Sequence, residues 1–236
     1  MPLYNHFREP IASRRHWTAF HTSWATYTAE NLNNILPEGY VAEPTVQLHI
    51  EIDAATWEEP GGPPRAPATP GSSWSPPAPQ VTAPFTATTD IIEVQILRNE
   101  GGLVLAAAVE FVSPANKDRP ANLEAFLSKC ATYLHQGAGL VIVDVVTERA
   151  AHFHRDLLAR VLPGVAAADD ELFTASYRPV RRNGDSTLEV WHQPLALGQQ
   201  LPTMPLWLRG GLCLPLELEQ TYERTIKVLR VPTNGA

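Results

Sequence analysis

Two nearly unbroken apolar runs, LVLAAAVEFV at 103–112 and LVIVDVV at 140–146, constrain this chain more than any other feature. A strand with one wet face alternates apolar and polar residues, whereas a continuously apolar strand needs cover on both faces. Between the runs lies an amphipathic segment, 120–136. Leu123, Phe126, Leu127, Cys130 and Leu134 form its stripe, Pro120 suits the first helical position, and Gly137 ends it. Strand, helix and strand predict a right-handed βαβ unit whose two strands are adjacent and parallel.

The flanking sequence extends this unit. Trp17, Phe20, Trp24 and Tyr27 recur at three, four and three residues, and Leu32, Ile35 and Leu36 follow; they predict a helix stopped by Pro37 and Gly39. Val46, Leu48, Ile50 and Ile52 alternate with Gln47, His49, Glu51 and Asp53, which predicts a half-buried strand. Residues 59–84 are rich in Pro, Gly, Ser and Ala, without periodicity. They read as a surface loop; their PxxP-like spacing suits docking to a partner, but a solvated spacer is the simpler reading. A strand at 90–97 and a turn at 99–102 predict a hairpin with 103–112. Segments 173–180 and 187–194 flank Asn183-Gly184, a second hairpin signal. The prolines of LPTMPLWL keep the late segment extended, and a short helix is predicted from Pro215 with Leu216, Leu218 and Tyr222.

With 236 residues, 44% hydrophobic and 18% charged, the chain reads as one packed domain, 1–236, carrying the proline-rich insertion at 59–84. Net charge is −7, from 18 Lys+Arg against 25 Asp+Glu, which weighs mildly against tight binding to phosphate backbones. The local cluster Arg178, Arg181 and Arg182 reads as a solvated hairpin tip. Cys130 and Cys213 sit among apolar neighbours, as small buried residues in a reducing compartment do. The opening MPLYNHFREP has no apolar stretch of a signal peptide, and no run approaches the ~20 residues of a membrane helix. A cytoplasmic protein without a membrane partner is expected, and the sequence is compatible with a homo-oligomer.

Charges placed where the pattern forbids them point to chemistry. Glu110 interrupts the first apolar run near its carboxyl end, and Asp144 does the same in the second. A buried carboxylate must be protonated, paired or bound to a cation. The carboxyl ends of strands are where α/β proteins present ligand-binding groups. Glu93, on the 90–97 strand, is a further candidate acid. The histidines are less informative: His16 and His21 are five apart, and His152 and His154 lack other ligand spacing. There is no phosphate-binding loop, GxGxxG or GxSxG.

The order helix, three strands, helix, strand, with an acid late in the strand before the second helix, resembles the PD-(D/E)XK restriction-endonuclease-like superfamily. EFVSPANKDR (110–119), FLSKC and GLVIVDVV more specifically resemble a large uncharacterised bacterial family, a domain of unknown function with an E-x-x-S-P-x-N-K segment; FHTSW, LPEGYVAE and LPTMPLWL fit it too. The resemblance covers almost the whole chain outside the proline-rich insertion. It implies an αβββαβ core, a mixed β-sheet flanked by helices with a C-terminal β-hairpin extension. It also implies a Mg2+- or Mn2+-dependent nuclease acting on DNA phosphodiester bonds, or a catalytically degenerate relative that binds nucleic acid or protein, or a structural and assembly module. Carried over, Glu110 matches the motif acid and Asp53 the first Asp, and the two are the metal ligands implied. The lysine expected two residues after Glu110 is replaced by Val112, leaving Lys117 and Lys129 as candidates for its role. Lys129 lies about 120° around the helix from the apolar stripe, a position that either points to the acids or sits in solvent.

Overall fold

The computed structural model describes residues 1–45, 52–58, 75, 77–84, 104–182 and 185–232. In chain order these form α1 (Trp17–Asn33), β1 (Tyr40–Thr45), β2 (Ile52–Glu58), β3 (Val81–Pro84), β4 (Val104–Phe111), α2 (Pro120–His135), β5 (Gly139–Asp144) and α3 (Phe153–Val161). They continue with β6 (Phe173–Arg182), β7 (Asp185–Pro194), β8 (Thr203–Trp207), β9 (Cys213–Glu217) and α4 (Leu218–Val228). Seven strands make one mixed sheet in the order β1-β2-β4-β5-β6-β7-β3, and β8 with β9 makes a separate two-stranded sheet.

β4 and β5 are adjacent and parallel, with Ala107 opposite Gly139 and Phe111 opposite Val143, and α2 connects them. The continuous apolar runs follow from cover on both faces. Val109, Phe111, Val141 and Val143 face a core shared with α1, α4 and the β8–β9 hairpin. Ala108, Val112, Leu140, Ile142 and Val146 face the core under α2 and α3. Trp24 of α1 is fully buried against Phe111, with ring centroids 4.3 Å apart, and its indole N–H donates to Thr221 Oγ1 at 3.0 Å.

Gly139 lets the hairpin approach the sheet. A Cβ there would stand 1.8 Å from the Trp207 carbonyl oxygen, so β8 crosses the start of β5 only because the side chain is a hydrogen. Gly139→Ala is expected to lower stability by about 1–3 kcal/mol as the hairpin is forced off the sheet. An unchanged thermal midpoint would show that the hairpin gives way freely.

Several sequence expectations need correction. Residues 81–84, read as part of a loop, form β3, antiparallel to β7 from Val81↔Val190 to Pro84↔Thr187. An edge strand tolerates proline because the missing N–H faces outward, so composition hid the pairing. The 173–194 hairpin is no appended extension: β6 pairs with β5 and continues the main sheet. Pro215 does not start a helix. It lies in β9 opposite Pro205, and α4 begins at Leu218. The buried residues Leu214, Leu216 and Leu218 repeat every second position, which is strand periodicity. α1 ends at Asn33, before Ile35 and Leu36. Of the strand expected over 46–53, residues 46–51 lie outside the described residues, while Ile52 and Asp53 open β2; the 90–97 strand, its turn and Glu93 also lie outside them.

Candidate acid–lysine centre

Glu110 is 1% exposed at the carboxyl end of β4, and Asp144 is fully buried at the end of β5. Register places both on one face of the sheet. Glu110 lies opposite Ile142, and residues two apart on a strand point the same way, so Asp144 shares the face of Ile142 and Glu110. On the other side of β4, Ala54 of β2 lies opposite Val109. Asp53 precedes Ala54 in β2, at the end of the strand nearest the carboxyl end of β4.

The two candidate lysines divide between the two acids. Lys129, on α2, brings Nζ to 2.8 Å from Glu110 Oε2, with side-chain exposures of 7% and 1%. The ammonium also stands 5.4 Å from the Phe126 ring centroid, within reach of a cation–π contact. Lys129 therefore points to Glu110 rather than to solvent.

Lys117 serves Asp144. Ser113 and Asn116 cap each other, Ser113 N donating to Asn116 Oδ1 at 2.8 Å, and fold Pro114–Lys117 into a single 3-10 turn. That turn delivers Lys117 Nζ to 2.9 Å from Asp144 Oδ2 and 2.9 Å from the Val146 carbonyl oxygen. Asp144 Oδ1 accepts the Val146 N–H at 3.0 Å. Burial pushes the Asp144 carboxyl up to about 6 from 3.8, and the Lys117 charge opposes that rise. The SPANK segment thus has a structural use: it turns the chain so that a lysine covers a buried acid. Neither pair is strong support for stability as such, since desolvation offsets most of the attraction in a buried ion pair.

The histidines sit elsewhere. His21, passed over in the sequence because of its distance from His16, places Nε2 2.8 Å from the Phe111 carbonyl oxygen at the end of β4. Its helical position on the α1 face was the available signal. His154 Nδ1 lies 2.7 Å from the Tyr177 hydroxyl, and burial pushes its pKa down to about 3, so it packs as a neutral ring. His152 pairs with Asp169.

A carboxylate oxygen is a hard ligand of the kind that suits a hydrated divalent cation, which keeps several of its waters. Glu110 is the described side chain that would supply one such oxygen; the Asp53 side chain lies outside the described residues. Among the described residues, no three His, Cys, Asp or Glu side chains gather as a metal-holding group. Also among the described residues, no helix is long and apolar enough to cross a membrane. No protein-family model matches this sequence, and no curated protein and no solved structure matches it.

Proposed function

We propose that this chain is a PD-(D/E)XK-like, divalent-cation-dependent nuclease that hydrolyses DNA phosphodiester bonds, with Asp53 and Glu110 as its acids and Lys129 as its lysine. The observation that carries this reading is the 2.8 Å contact of Lys129 with Glu110 at the carboxyl end of a parallel strand. Val112 stands where the resemblance calls for lysine; a lysine one helix later restores a positive point charge to the same acid. Lys117 is committed to Asp144 and takes no part.

A divalent cation, when bound, supplies charge stabilisation at the phosphate. Glu110 contributes an oxygen donor held in one orientation by its ion pair. Lys129 supplies the fixed ammonium on the α2 side, close to an aromatic ring that adds no competing charge. Hydrolysis adds one water across the P–O bond: hydroxyl to phosphorus, proton to the leaving oxygen.

A second reading, a catalytically degenerate scaffold that binds nucleic acid or protein, is favoured by burial. At 1% and 9% exposure, Glu110 and Lys129 are closed to a polymer in this conformation, and the net charge of −7 repels one. Incubation of supercoiled DNA with the chain and Mn2+ separates the two. The nuclease reading expects nicking by the wild type and a loss of about 100-fold or more in Glu110→Gln. Intact DNA with both proteins would leave the scaffold reading.

A further inference from the structure

The proline-rich segment ends against the sheet, and its contacts have the chemistry of peptide recognition. Trp191 of β7 is 2% exposed, and its indole N–H donates to the Pro77 carbonyl oxygen at 2.9 Å. Trp207 of β8 stacks beside Trp191 with ring centroids 5.7 Å apart. Gln80 then fixes the register: its backbone N–H donates to the Val190 carbonyl at 2.9 Å, and its side-chain oxygen accepts the His192 N–H at 3.2 Å. From Val81 the chain pairs with β7 as the outermost strand of the sheet, and Val81 and Ala83 pack on the α2–α3 core.

Proline-rich chain carries carbonyls free of internal hydrogen bonds, and a tryptophan N–H beside aromatic surface is a recurrent way of reading it. Strand addition to an open sheet edge supplies affinity through the main chain. Both modes meet at β7. We infer that the β7 edge with Trp191 is a docking site for extended, proline-flanked peptides, filled in cis by this chain's own residues 77–84. The occupant is a peptide of the pattern Pro-Ala-Pro-Gln-Val-Thr-Ala-Pro. Its sequence follows from the contacts: a proline carbonyl for Trp191, glutamine for the His192 backbone, and small β-formers for the edge.

The test uses the full chain and a fluorescein-labelled octapeptide of residues 77–84. Ala83→Pro removes an N–H of the opposite parity to Pro84, one that faces β7, and leaves the receiving edge intact. Its affinity for the peptide is expected to rise about tenfold or more over the wild type, whose site is occupied. Adding Trp191→Phe, which keeps an aromatic ring but removes the donor, is expected to reverse most of that gain; a scrambled peptide is expected to stay unbound. Gln80→Ala, a milder release, is expected to fall between wild type and Ala83→Pro, and it decides the matter if the proline variant does not fold. Peptide binding by the folded release variants no tighter than wild type, or unaffected by Trp191→Phe, would overturn the inference.

Discussion

At pH 7, Lys117→Met is expected to lower the melting temperature by on the order of 10 °C, equivalent to about 3–5 kcal/mol. The substitution keeps the stem that fills the space beside Phe153 and removes the ammonium paired with Asp144. A fully buried carboxylate then loses its counter-charge. The pH dependence identifies the cause. Asp144 titrates at about 6 in the fold against 3.8 ordinarily, so its share of stability is greatest below pH 4, falls as pH rises towards 6, and is level above that. Without Lys117 the folded carboxyl rises further and the decline extends to higher pH. The deficit of the variant is therefore expected to be smaller at pH 5 than at pH 7. Lys117→Met/Asp144→Asn is expected to regain much of the loss at pH 7, since asparagine still accepts the Val146 N–H and no charge remains buried. A deficit independent of pH would mean that packing, not the ion pair, is lost.

Lys129→Gln is expected to reduce kcat for DNA cleavage by about 100- to 1,000-fold with KM little changed, the magnitude of removing one preorganised group at the reacting centre. Glutamine retains an N–H donor for Glu110 but no charge. Lys117→Gln gives the contrasting pattern, a lower melting temperature with kcat of the folded protein nearly unchanged. Equal losses of kcat in both variants would erase the division of labour between the two lysines.

The β4–α2–β5 unit was legible because three local signals agree: two strands apolar at every position and an amphipathic segment of crossover length. Glu110 and Asp144 stood out for the same reason, each a charge inside such a run. Their partners did not. Helical periodicity gives the direction of a Cα–Cβ bond, and Lys129 lies off the stripe by that measure. Its four-methylene stem carries the ammonium back to Glu110, which only the packing of α2 on β4 reveals. Ser113-Pro114 read as the end of a strand, while the Ser113–Asn116 caps that aim Lys117 at Asp144 depend on a turn too short for any periodicity. β3 was hidden because its two β-branched residues are too few to show a period and stand among prolines, and the pairing with β7 decides their conformation. In the β9–α4 boundary, Pro215 carried a helix-start signal, and the pairing with Pro205 outweighed it.

The central claim, that Asp53, Glu110 and Lys129 form a cation-dependent centre, is tested most directly by calorimetric titration of the folded full chain with Mn2+. Wild type is expected to bind Mn2+ with a saturable heat, Glu110→Gln to give none while still folded, and Lys117→Gln to bind as wild type does. A folded wild-type protein that gives no saturable heat, or a Glu110→Gln variant that binds as tightly as wild type, would contradict it.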